Sequence, residues 1–183
     1  MKPLTAFALA AVIAVSACSG PTPLVTAEEV DDPASPQRAK VEPEVKLPSF
    51  PKEQTLIRYD VTPKTSLEYF VDSTSISLPG EGIVRFTVVA KTASAENVSY
   101  EGFRCITREH KIYARANRDG AWVMVKGAGW EPVSERTTPM FRRELYWNFF
   151  CPSKHTINTP REGVDALRFG RHPNARPEGS LAD

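Results

Sequence analysis

The octapeptide "FRCITREH", residues 103–110, sets Cys105 five positions ahead of His110, and further on Cys151 is followed four positions later by His155. Thiols and imidazoles recurring at short spacing could support three kinds of chemistry. Two cysteines and two histidines make a legitimate tetrahedral zinc set. A thiolate beside a base could serve as a nucleophile. Two thiols in an oxidising compartment could close a disulfide. The choice depends on where the chain is sent and on which elements carry these residues.

The first residues speak to destination. Lys2 is followed by "PLTAFALAAVIAV", an apolar run too short for a comfortable bilayer span, and the run ends in "VSACSG". A charged start, a short apolar centre and small residues before the cut are the layout of an export signal, here residues 1–17. The stretch Val15-Ser16-Ala17-Cys18 resembles the lipobox of bacterial lipoproteins. That resemblance implies cleavage before Cys18, diacylglycerol on its sulfur and an acylated new N-terminus. Several acyl chains on one residue hold a protein firmly to a membrane, the partner expected here. Ser19 stands where lipoproteins kept in the inner membrane usually carry Asp, so it resembles the outer-membrane class. The expected location is the outer membrane, with the domain on the periplasmic side. An ordinary secretory peptide in which Cys18 has no role is the alternative. Cleavage removes Lys2 and no acid, taking 23 basic residues to 22 against 22 acidic ones. A nearly neutral chain makes no case for a nucleic-acid partner.

Residues 18–50 are rich in proline, acids and small residues and show no apolar period, so they read as a disordered tether behind Cys18. Roughly 30 residues at ~3.1 Å each set an upper limit of ~90 Å on its reach. Residues 51–170 read as one globular domain, and 171–183, polar again, as a frayed tail. Within the domain, "LEYFVDSTSISL" and "GIVRFTVVAKTA" are β-prone runs joined by "PGEG" as a hairpin. In the second run Val84, Phe86, Val88 and Ala90 share one face and Arg85, Thr87 and Lys91 the other. "VSYEGFRCIT" and "KIYARA" continue the pattern, "NRDG" turns into "AWVMV", and "WEPV" adds an edge strand. Helices come late. Thr138-Pro139 offers a cap before a Phe141, Leu145 and Phe149 stripe, and Thr159-Pro160-Arg161-Glu162 is a capping box ahead of Val164 and Leu167. The expected fold is α+β: an antiparallel sheet of about five or six strands, one packed helix and a second short helix near the C-terminus.

These elements weigh on the cysteines. With Cys18 spent on lipid, Cys105 and Cys151 remain, and an even remainder in an exported chain favours a disulfide. Side-chain alternation along a strand sets residues five apart on opposite faces, which separates Cys105 from His110 and leaves His110 at the surface. Pro152 interrupts any helix that would bring Cys151 and His155 together. Phe103 and Cys105 share a face that reads as core, a poor setting for a catalytic thiol. The zinc set and the thiol remain as the lesser alternatives; no metal site is expected.

Elsewhere, nothing in the spacing unites Asp60, Asp72 and Glu101: Asp72 reads as a cap or turn and the others as solvated. Ser73, Ser75 and Ser77 alternate as a polar strand face. No G-x-S-x-G, P-loop or dinucleotide fingerprint occurs, so neither an enzyme nor a cofactor is expected. Trp130, Arg142, Arg143, Tyr146 and Trp147 are the residue types that anchor interfaces, and they form the candidate interaction surface. The preferred account instead lays Tyr146 and Trp147 over the sheet and leaves the arginines in solvent.

From about 47 to 168 the layout is similar to the uncharacterised cryptic neisserial protein family of proteobacterial lipoproteins. The carrying pieces are "LPSFPKE", "YFVDSTSISL", "GIVRFTVVAKT", "NVSYEGFRCITREHKIYA" and "YWNFFCP". The resemblance implies an exported protein in which Cys105 and Cys151 hold motif positions, and it implies no activity. "FVDSTSI", Cys105, "WEPV" and Cys151 also follow, more loosely, the order seen in the surface adhesin protein E family, which binds host matrix proteins. The expected function is therefore a non-enzymatic envelope lipoprotein with a structural or protein-interaction role and an unknown envelope partner. A surface-displayed adhesin is the alternative.

Overall fold

Ile83–Lys91 forms β4, a β-branched strand buried along most of its length, on which the rest of the sheet is assembled. A computed structural model describes residues 42–62 and 66–175. In it β1 (Leu56–Tyr59), β2 (Glu68–Asp72), β3 (Ser77–Gly80), β4, β5 (Glu96–Arg104), β6 (Glu109–Ala116), β7 (Trp122–Met124) and β8 (Glu131–Pro132) form one antiparallel sheet. Its order is β1-β2-β4-β5-β6-β7, with β3 continuing along β4 and β8 along β6. The fold is α+β and mostly β, with eight strands rather than the five or six expected.

Two strands escaped the pattern for local reasons. β1 is only four residues long and follows a proline-bounded stretch. The expected first run breaks in two because Asp72 Oδ1 accepts from Thr74 N at 3.1 Å and from its hydroxyl at 2.8 Å, an Asx turn. Ser75 is therefore not on a polar strand face. It is buried, and its hydroxyl accepts from Thr87 N at 2.7 Å.

The core lies between one sheet face and the late helices. Phe86 packs on Phe103 and Phe150 with ring centroids 4.9 and 4.8 Å apart. The expected single helix is two pieces: α1 (Met140–Glu144), then a π-helical turn over Leu145–Phe150. Cys151 N donates to Tyr146 O at 2.9 Å, the five-residue reach of a π turn. The expected stripe of Phe141, Leu145 and Phe149 packs on the core, and the wider turn adds Tyr146 and Phe150 to it, so that adjacent pairs are buried. Nor does Thr138 cap this segment. Its hydroxyl donates to Pro132 O at 3.1 Å and accepts from Ser134 N at 3.0 Å.

α2 (Pro160–Arg168) begins as expected, with Thr159 Oγ1 accepting from Glu162 N at 3.1 Å. The Glu162 carboxylate turns away from the cap residue to Asn158 N, at 2.6 Å, and to His172 Nε2, at 2.7 Å. Burial pushes the Glu162 carboxyl up, but the hydrogen bonds from His172 and Asn158 outweigh it and leave it below the ordinary range. His172 itself is buried and its backbone donates to Asn148 O at 2.8 Å, so the chain past Gly170 stays tied to the helices.

Beneath α1 sits a polar network enclosed by core. Arg142 Nε and Nη2 donate to the two oxygens of Glu101 at 2.5 and 2.8 Å, and Ser99 Oγ donates to Oε1 at 2.5 Å. Glu101 is 0 % exposed and Arg142 is 8 % exposed, so neither is the solvated residue expected. His110 is likewise corrected from surface to interior, at 6 % exposed. The alternation argument failed because the chain reverses at 105–108. His110 then pairs across from Phe103 and inherits its core-facing side.

Burial, then the charge of Arg142, holds the His110 imidazole below its usual value near 6.5. Glu101 and Glu131 pull the other way and do not reverse this. The unfolded chain, titrating as an ordinary imidazole, then takes up this proton at higher pH than the folded one. Stability falls as pH drops through the unfolded value toward the folded one, and is flat below both. Urea midpoints measured from pH 7.5 down to 5 should show this slope, and His110→Gln should flatten it; an unchanged slope in the variant would count against the burial.

Candidate functional site

The second face of the sheet is covered rather than solvated. Alternation along β4 turns Arg85, Thr87 and Val89 away from the core, yet all three are buried. On the same side β5 presents Tyr100, Gly102 and Arg104, β6 presents Lys111 and Tyr113, and β7 presents Trp122. A side chain at Gly102 would meet Tyr113 Cε2 at 2.9 Å and Val84 O at 3.1 Å, so the glycine lets the Tyr113 ring lie across the strand. Tyr113 packs at 5.5 Å from Tyr100 and edge-on at 6.2 Å to Trp130, which arrives from the β7–β8 loop.

Three cations sit among these rings. The Arg104 guanidinium lies 4.3 Å from the Trp130 centroid, Arg85 lies 5.0 Å from Tyr113, and Lys111 Nζ lies 5.4 Å from Tyr113 and 5.8 Å from Trp130. Cation–π contacts of this kind contribute about 0.5–2 kcal/mol, more when water is excluded.

The cover is an extended strap, residues 42–50, from the stretch expected to be tether. Arg85 Nη1 donates to Glu44 O at 2.8 Å and Nη2 to Pro43 O at 2.5 Å. The Glu42 carboxylate takes Lys111 Nζ at 2.8 Å and lies 3.4 Å from Arg85. At the other end Trp122 Nε1 donates to Pro48 O at 2.9 Å, and Phe50 packs 5.4 Å from the Trp122 ring. Val45 lies between, on the Tyr100–Tyr113 cluster. Partial burial raises the Glu42 carboxyl, but Lys111 and Arg85 outweigh it, so its pKa sits below the ordinary carboxylate value. Burial holds the Tyr113 phenol protonated, far above its usual range. Residues 42–50 thus lie on the sheet, where a free tether was expected.

Gly102→Ala should lift Tyr113 and loosen the strap, at a cost of roughly 1–3 kcal/mol for a clash in a packed site. Urea unfolding reads the cost. An unchanged midpoint would mean that the ring moves aside freely.

The residues singled out from sequence do not assemble into one surface. Cys105 and Cys151 form a disulfide, S–S 2.04 Å, which takes both sulfurs out of any zinc set or catalytic thiol. Cys18 lies outside the described residues. Arg142 and Tyr146 are buried on the core face, and Trp147 is half-buried beside Tyr146, with the Arg108 guanidinium 5.0 Å from its ring. Arg143 Nη2 lies 3.1 Å from Met140 Sδ. Only Trp130 belongs to the strap face. Glu101 and Arg104, three apart on β5, direct Arg142 and Trp130 to opposite sides of the sheet.

Sequence reasoning missed Arg85, Lys111, Tyr113 and Trp122 as a group. The signal was present as cations and aromatics alternating on the non-core face of consecutive strands. Among the described residues, no group of three or more His, Cys, Asp or Glu stands where it could hold a metal ion, and no helix is long and apolar enough to cross a membrane.

Residues 35–168 match the model of the CNP1-like family. No curated protein and no solved structure matches the chain.

Proposed function

Because the chain belongs to the CNP1-like family, a family of uncharacterised proteins, we propose a role read from its own residues: a non-enzymatic envelope lipoprotein that acts through protein interaction. Cys18 carries the lipid, the outer membrane holds the anchor, and the domain faces the periplasm. The observation that carries this reading is the Cys105–Cys151 bond between a central strand and the helical segment. Disulfides persist in oxidising compartments such as the bacterial periplasm and are rare in cytosol. The export layout of residues 1–17 and the lipobox-like stretch ending at Cys18 agree with that compartment. Binding rather than catalysis is supported by the strap face, whose cations are engaged with rings, carbonyls and a carboxylate.

Protease added to intact cells should leave the domain whole, with digestion only after the outer membrane is permeabilised. Digestion of the whole population on intact cells would replace this reading with the surface-displayed adhesin.

A further inference from the structure

The strap face is built like a site that reads peptide backbone. One guanidinium spans two consecutive carbonyls, Pro43 O and Glu44 O, and an indole N–H takes a third, Pro48 O. A lysine takes the Glu42 carboxylate at 2.8 Å, and aromatic rings floor the space between. Proline-containing segments dock in aromatic-lined grooves in this way, because their extended backbone is already ordered and presents its carbonyls outward. Pro43 and Pro48 supply that order here.

The strap itself is lightly held. Residues 42–52 take no strand pairing, and none of residues 42–50 is fully buried. The groove beneath belongs to the central strands, with Tyr100, Tyr113, Arg85 and Arg104 all at 6 % exposure or less. Segments with few backbone hydrogen bonds open at low free energy while central strands stay formed. On this face Arg104 Nε and Trp130 Nε1 are buried and meet no acceptor among the described residues. A ligand with a further carbonyl or carboxylate there would meet donors that the strap leaves unused.

We propose that this face is a recognition groove for an extended, acidic, proline-containing segment of a partner protein, and that residues 42–50 are its resident occupant in cis. The proposal rests on the interaction reading above and gives the partner its chemistry. An occupant tethered to its own groove competes at high effective concentration, so the wild-type chain binds such a segment weakly until the strap is displaced.

The test uses the full chain in detergent and a fluorescent peptide VEPEVKLPSFP, residues 41–51, read by anisotropy. Replacing residues 42–48 by Gly/Ser of equal length should give saturable binding, about ten-fold or more tighter than to wild type. Adding Lys111→Glu should abolish it, and a peptide of the same composition with Pro43 and Pro48 moved should bind poorly. Should the Gly/Ser chain fail to fold, Glu42→Lys, which keeps the rest of the strap, should still bind the peptide more tightly than wild type. Absence of saturable binding to a folded variant with its disulfide intact overturns the proposal. So does a wild-type dimer formed by strap exchange in sedimentation, which would make a second copy the occupant. The envelope reading is judged separately by protease protection, so loss of peptide binding with protection retained would sink the groove alone.

Discussion

Glu101→Leu should cost the fold about 3–5 kcal/mol, while Glu101→Leu combined with Arg142→Met should recover most of that loss. The carboxylate is 0 % exposed and takes both guanidinium bonds as well as Ser99 Oγ. Removing it alone leaves the Arg142 charge enclosed between α1 and the sheet with no counter-ion. Removing both charges replaces an ion pair, whose attraction is largely offset by desolvation, with apolar packing. Arg142→Met alone should be costly for the mirror reason, because Glu101 would then be stranded. Urea denaturation of the three variants forms a cycle, and the strongly non-additive result is the diagnostic one. A double variant as unstable as the sum of the single ones would show that the pair does not act as a unit.

Loss of the staple has the next largest effect. Replacing Cys105 and Cys151 together by Ala avoids a stranded thiol and should destabilise the domain by roughly 4 kcal/mol, the loop-closure value for a separation of 46 residues. The consequence is local as well as global. The bond joins the end of β5 to the end of the π turn, the same region in which Tyr146 Oη donates to Cys105 O at 2.5 Å. Without it the helical segment keeps its aromatic packing but loses its covalent tie to the sheet. Thermal unfolding of the alanine pair, and of the native chain under reductant, should agree. A loss under 1 kcal/mol in both would remove the disulfide from any account of this fold's stability.

What could be read in advance divides along physical lines. The cysteine pair was legible because setting Cys18 aside for lipid, as proposed, leaves two thiols with few outcomes, and α2 was legible because Thr159 and Pro160 act on their own backbone. His110 was misplaced because alternation holds only within a strand, and the reversal at 105–108 restores it to the face of Phe103. Glu101 and Arg142 read as solvated since a charge is buried only by a partner, and theirs lies 41 residues away. The strap was read as tether because it docks through the carbonyls of Pro43, Glu44 and Pro48, and composition carries no mark of which carbonyls are used. Its proline and acid content signals a chain that cannot fold alone, which does not prevent it from lying on a face that already has.

The central claim, a lipid-anchored chain matured in an oxidising compartment, is tested most directly by intact mass of the envelope-derived protein after alkylation without reductant. The account predicts an N-terminus at Cys18, the mass of its acyl chains, and no alkyl group on Cys105 or Cys151. A chain with an unmodified Cys18, or with both remaining sulfurs alkylated, would contradict it.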